Sequence, residues 1–335
     1  MENPKLFTAL PKKSHPVLAV VGFVLTISAV AILILMSTVF AGQTGKHEPT
    51  YIAIMSLYML FALIVGIVFL SVFSPGRGRP ILWLFLLSQV PLLFLQEVYA
   101  RVNKALHWTE NFPVLAIETV LFIIGLGAIY WLAYRSVRKR NVIPPLRWRY
   151  FRFGRAAIGF ALLFLSQIVI NIIAAAIEGG SGNQTSSNQA SLNSLAVQVP
   201  YLTFWITTIS AGFFEELLFR VGSFEILLKK HKFWAFVVAA STFTLAHGPN
   251  SWQAAATYGA MAILLTTSYL VYRNFYLNMV MHMSLNFVAS GLFWTGSILK
   301  WGDAQSLLLI FGLYVIFMAA LFVLQRRFGQ VETRA

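Results

Sequence analysis

The chain has 335 residues, of which 58% are apolar, 15% aromatic and 11% charged. Soluble domains carry about a quarter charged residues, so this chain could not cover a surface in water, and the bilayer is read as its solvent. A formal net charge of +14 would point to nucleic acid in a soluble protein, and the absence of cysteine excludes disulfides, a thiolate nucleophile and a Cys-ligated metal.

Crossing the hydrocarbon core takes about 20 mostly apolar residues. Ten runs of that kind are read at 16–40, 51–73, 80–100, 113–134, 156–177, 197–219, 233–247, 254–272, 275–293 and 305–325. The first ends in a cleavage-like Val39–Ala41, but its apolar run is far longer than the roughly 7 to 15 residues of a signal peptide's apolar region, so it is expected to be a retained anchor. With ten spans both termini share one side. Of the 25 Lys and Arg, 21 then fall on that side and four (Lys46, Arg101, Lys104 and Lys300) on the other. The positive-inside rule makes the richer side cytoplasmic, so topology accounts for the charge and no nucleic-acid partner is expected.

The division expected is a four-span region over 1–134, a basic cytoplasmic linker over 135–155, a six-span region over 156–325 and a cytoplasmic tail over 326–335. The linker holds eight cations and no acid, a topology determinant that also suits anionic headgroups. Gly179 to Asn193, uncharged and rich in Gly, Ser, Asn and Gln, reads as a flexible outer loop. No internal repeat is visible, which weakens an inverted-repeat, proton-coupled transporter.

An ionisable residue inside a span costs about 2.5 to 3.5 kcal/mol on insertion scales, so each needs a partner or a role. Three clusters stand out in the last six spans: Glu215-Glu216 with Arg220, Phe243 with His247, and His282 with Asn286. On an α-helix Glu216 and Arg220 lie four apart on one face and can pair. Glu215 is turned about 100 degrees away and can present its carboxylate elsewhere, as a general base would. His282 and Asn286 are also four apart and offer two donors to one point, which suits an oxyanion hole.

Blander readings exist for each cluster. Glu216 and Arg220 could be a salt-bridged helix end, His247 a satisfied interfacial residue, and His282 with Asn286 a hydrogen-bonded helix contact. Two acids, an Arg, two His and an Asn on three helices fit packing poorly as a set, so function is preferred. Glu97 and Glu118 read as structural, Gln89 with Pro91 as a kink, and Glu225 as a solvated partner of Lys229. No phosphate loop, HExxH or GxSxG pattern occurs.

The ordered set EExxxR, FxxxH and HxxxN, here Glu215 to Arg220, Phe243 to His247 and His282 to Asn286, resembles the CPBP intramembrane proteases. That family includes the CAAX prenyl endopeptidases and the bacteriocin-processing and abortive-infection-like proteins. The resemblance covers about 156–325 and implies an all-α polytopic membrane protein with a CPBP-type helical core in its C-terminal half. It implies hydrolysis of a peptide bond in a hydrophobic or lipid-anchored, CAAX-like substrate, with membrane lipids as the other partners. Glu215 and His247 would position and deprotonate a water, His282 and Asn286 would hold the oxyanion, and Glu216 with Arg220 would support the site.

No cofactor is required by that chemistry, but two His and a Glu are ordinary ligands of catalytic zinc, and Glu215, His247 and His282 would be the set. Bringing Glu215 to His247 calls for residues 222–232 to fold back as an amphipathic segment, or for strongly tilted helices. A prokaryotic plasma membrane with both termini cytoplasmic is the expected location. The competing function is a non-catalytic scaffold or bacteriocin-immunity factor that keeps the site as structure.

Overall fold

A computed structural model describes residues 15–40, 49–93, 112–177, 187–198 and 200–334. They are helical, with no strand among the described residues, as hydrocarbon demands of a chain that must satisfy its own backbone groups. In order the helices are α1 (Pro16–Phe40), α2 (Pro49–Val68), α3 (Pro75–Leu93), α4 (Phe112–Arg138), α5 (Phe153–Ile177), α6 (Ser187–Gln198), α7 (Pro200–Trp205), α8 (Ala211–Glu215), α9 (Lys232–Ala246), α10 (Trp252–Tyr272), α11 (Phe275–Phe293) and α12 (Asp303–Arg334). Wide π-helical turns extend α2 (Phe69–Phe73), join α7 to α8 (Ile206–Ser210), follow α8 (Glu216–Leu227) and extend α11 (Trp294–Ile298).

Seven of these helical runs are long and apolar enough to cross a membrane, so the chain is an all-α, multi-pass membrane protein. The reading of ten spans included three others. Helix α9 has 15 residues, about 22 Å at 1.5 Å per residue, and is short for a crossing. Helix α11 is long enough but carries Asn278, His282 and Asn286, and α3 begins with Arg77 and Arg79.

Two sequence expectations are corrected here. Residues 187–193, read as part of a flexible loop, are the start of α6, while 179–186 lie outside the described residues. Residues 222–232, expected to fold back as one amphipathic segment, instead divide: every residue from Glu216 to Leu228 is buried, and the turns from Glu216 to Leu227 are continuously helical. Glu97 also lies outside the described residues, as does the side chain of Glu118.

The chain packs as two compact units interleaved along the sequence. The first comprises 1–85, 163–192 and 217–272. In it α1 and α2 approach closely at glycines: a Cβ on Gly66 would lie 2.5 Å from Thr26 Oγ1 and 2.9 Å from the Gly22 carbonyl oxygen. Small residues of this kind let membrane helices bring their backbones together. Helix α1 also packs on α9. Polar pairs tie α5 to α10, with Gln253 Nε2 donating to Asn171 Oδ1 at 3.1 Å and Gln167 Nε2 to the Thr257 carbonyl at 3.4 Å. Glu225 belongs to this unit and is not solvated as expected; it is buried and accepts from the Tyr269 hydroxyl at 3.1 Å. Arg77 donates to the Leu227 carbonyl that closes the π-helical run.

The second unit comprises 86–162, 193–216 and 273–335. Helix α11 is its hub. A Cβ on Gly212 of α8 would stand 2.5 Å from Met283 Cγ and 3.2 Å from the Met283 backbone nitrogen. A Cβ on Gly159 would meet the Met281 side chain at 2.3 Å, and one on Gly291 would meet Ile310 of α12 at 2.9 Å. The opposite face of α12 is apolar and exposed, with Leu308 at 78% and Ile316 at 68%, as a lipid-facing surface requires.

Candidate active site

The α-helix ends at Glu215 and the wide turns begin at Glu216, so the two adjacent acids stand where the helical register changes. Short π-helical insertions often lie at functional sites because they re-aim side chains that a regular helix would fix. Both carboxylates reach His282 of α11. Glu216 Oε1 lies 2.9 Å from His282 Nδ1, and Glu215 Oε2 lies 3.8 Å from Nε2 of the same ring. Asn278 Nδ2 donates to the other Glu216 oxygen at 3.2 Å.

Burial separates the two acids. The Glu216 and His282 side chains are 0% and 1% exposed, whereas that of Glu215 is 25% exposed. A buried carboxylate needs donors, and α11 supplies one to each Glu216 oxygen. Because a carboxylate accepts, His282 Nδ1 carries a hydrogen toward it, which fixes the ring plane and aims Nε2 at Glu215. Glu216 thereby orients the ring, and Glu215 is the more exposed of the two acids.

Asn286 shares this face of α11, and its Nδ2 donates to the Thr207 carbonyl at 2.9 Å. Thr207 lies in the first of the wide turns beside α8, and its hydroxyl is 2.9 Å from that of Ser290. Asn278, His282 and Asn286 therefore sit at successive four-residue steps, all turned to the 207–216 stretch. Asn278 was absent from the sequence reading, although the same spacing that linked His282 to Asn286 pointed to it.

The remaining candidates lie in the first unit. Arg220 is fully buried with its guanidinium 4.4 Å over the ring of Phe243, itself fully buried. His247 caps the C-terminus of α9, and its Nδ1 lies 2.8 Å from the Phe243 carbonyl. A carbonyl only accepts, so Nδ1 carries the hydrogen and Nε2 of the neutral ring keeps its lone pair. The imidazole lies between the rings of Phe243 and Tyr258, with centroids 4.5 Å and 4.3 Å away. The phenylalanine of FxxxH thus has two uses: its carbonyl pins the histidine and its ring receives the arginine. Tyr258 had no signal in the sequence, since it comes from α10 beyond the Gly248-Pro249 turn.

The structure so brings Glu215, Glu216 and His282 together, with Asn286 on the same helix face, and gathers Arg220 and His247 about Phe243. The segment that carries both Glu216 and Arg220, expected to pair across one helical turn, is π-helical. No group of three His, Asp or Glu side chains is set to ligate a metal among the described residues, so Glu215, His247 and His282 do not form the ligand set that zinc would need.

Residues 197–288 match the family model described as type II CAAX prenyl endopeptidase Rce1-like, which takes in every motif above. UPF0177 protein YvdC of Lactococcus lactis is 38% identical over 231 residues, 68% of this chain and 82% of its own length. The membrane-embedded CAAX protease MroQ of Staphylococcus aureus is 26% identical over 222 residues, 61% of this chain and 83% of its own. No solved structure matches. With its three motifs in order on membrane helices and relatives that share most of their length with it, the chain belongs to the CPBP family of CAAX-type membrane proteases.

Proposed function

We propose that this protein is an intramembrane endopeptidase that cleaves a hydrophobic or lipid-anchored peptide by glutamate-activated water. The observation that carries the reading is the graded pair of acids on one histidine: Glu216 buried against Nδ1, Glu215 half-open against Nε2. In the reaction Glu215 takes a proton from water, and the resulting hydroxide attacks the scissile carbonyl carbon, whose π electrons move to its oxygen. Collapse of that oxyanion breaks the C–N bond, and the proton held by Glu215 passes to the leaving amine.

His247, with Nδ1 committed to Phe243, offers Nε2 as an acceptor that holds the water. The oxyanion is met by His282 Nε2–H and by the second N–H of Asn286, the first being engaged with Thr207. For His282 to donate from Nε2 while Nδ1 faces Glu216, the Glu216–His282 pair must hold two protons, one more than a neutral ring with an ionised acid. Arg220, buried beside Phe243, supports the site together with Glu216. We assign the chemistry to the 156–325 region; with 21 of the 25 basic residues on one side of a ten-span topology, the positive-inside rule supports cytoplasmic termini, and the membrane proposed is a prokaryotic plasma membrane.

The test compares membrane-protein termini by mass spectrometry in cells carrying wild type or Glu215→Gln at equal expression. New termini with wild type alone are expected, and they identify the substrate as well as the activity. Matching samples, together with equal rescue of a deletion phenotype, would overturn the protease reading in favour of a scaffold or immunity factor.

A further inference from the structure

The segment from Arg135 to Arg155 carries eight Arg or Lys and no acid, and it joins the ends of two membrane-crossing helices. A polybasic stretch in such a place is commonly an unstructured tether. Here it is folded. Arg138 Nη1 donates to the Ile143 carbonyl at 2.6 Å, and the Leu146 amide donates to the Tyr134 hydroxyl at 2.9 Å. The Tyr276 hydroxyl donates to the Pro144 carbonyl at 2.9 Å and Asn274 Nδ2 to the Tyr150 carbonyl at 2.8 Å. From α12, Gln325 Nε2 donates to the Trp148 carbonyl at 3.0 Å while its Oε1 accepts from the Phe153 amide at 3.1 Å. All of these residues belong to the second unit.

The sequence Arg147-Trp148-Arg149-Tyr150-Phe151-Arg152-Phe153 sorts by face. Its aromatic rings form a pedestal: Trp148 stacks on Phe328, Phe151 on Phe153 and Tyr150 on Tyr276, with centroids 6.0, 5.4 and 6.2 Å apart. Arg147, Arg149 and Arg152 are left exposed, and so are Arg326 and Arg327 on the neighbouring stretch of α12. Two guanidiniums are already laid on rings, Arg149 over Tyr150 at 5.0 Å and Arg326 over Phe322 at 4.8 Å. Cations held this way lose less freedom when an anion arrives, and planar guanidiniums match a phosphate by paired hydrogen bonds.

We propose that this platform, Arg147, Arg149 and Arg152 with Arg326 and Arg327, is a headgroup-binding site for anionic phospholipid. Charge complementarity and position select that occupant. The cations stand beside Leu146, an apolar side chain that is 61% exposed, so a phospholipid whose phosphate binds there keeps its acyl chains against hydrocarbon. A soluble acidic protein would leave that apolar rim wet.

The test uses the purified full-length protein in detergent with phosphatidylglycerol or phosphatidylcholine added at equal amounts, reading retained lipids by native mass spectrometry. Wild type is expected to retain phosphatidylglycerol at least about tenfold over phosphatidylcholine, with the preference falling as salt rises from low to high ionic strength. Replacing the five arginines by Gln is expected to abolish the preference and leave phosphatidylcholine retention unchanged, and replacing them by Lys to keep part of it. Equal retention of the two lipids by wild type, or an undiminished preference in the Gln variant, overturns the proposal. If the Gln variant fails to fold, a salt-independent preference in wild type overturns it instead.

Discussion

Helices α11 and α12 pack on each other in the same unit and have opposite surfaces. Helix α12 turns Leu308 and Ile316 to lipid and gives the most hydrophobic span among the described residues, at a mean hydropathy of 2.9. Helix α11 buries Asn278 and His282 instead and does not reach the hydropathy of a crossing helix. The difference is that of a wall and a workbench: a helix that meets lipid needs only apolar area, while one that presents chemistry gives up the hydrophobicity by which spans are recognised.

The sharpest way to break that comparison is to disarm α11. His282→Ala is expected to reduce cleavage by about 10² to 10³, with the thermal unfolding midpoint followed in parallel, since Glu216 then loses its 2.9 Å partner. A variant that keeps cleaving would make α11 as passive as α12.

Asn278→Ala removes the donor to the second Glu216 oxygen, so a fall of about 10 to 100-fold in kcat with little change in KM is expected, as for other groups that orient a reacting partner. Rescue by Asn278→Gln is a readout that packing alone would not produce. Tyr258→Ala should lower activity several-fold by releasing one side of the His247 ring, an aromatic contact worth about 0.5 to 1.5 kcal/mol, whereas Tyr258→Phe should match wild type. At the other end of the scale, Leu308→Ala on the lipid face of α12 should change stability by no more than about 0.5 kcal/mol and leave cleavage untouched.

The parts legible in the sequence were those written in short-range periodicity. Helix α11 spans Phe275–Phe293, the stretch that its apolar pattern marked, and the four-residue step from His282 to Asn286 placed both on one face. The same step extended backwards would have yielded Asn278. Glu225 was misread because a lysine four residues later suggests a wet surface, whereas the buried run from Glu216 to Leu228 carries it inward to Tyr269. Tyr258 was out of reach, since its contact with His247 depends on how α10 returns after a turn held by Gly248 at a φ of 52 degrees. Local spacing fixes which side chains share a face; it does not say which face another helix will meet.

Gly212 draws these threads to a physical dimension. With only a hydrogen where a side chain would stand 3.2 Å from the Met283 backbone nitrogen, α8 and α11 rest almost backbone to backbone, three residues before the first acid and one after the histidine. The glycine works as a spacer of minimum thickness, like a shim in an instrument, and the reach of Glu215 and Glu216 to His282 is calibrated to it. Tuning this site need not begin with any titratable group: one methyl added to the shim would already alter the distance from the two acids to the histidine.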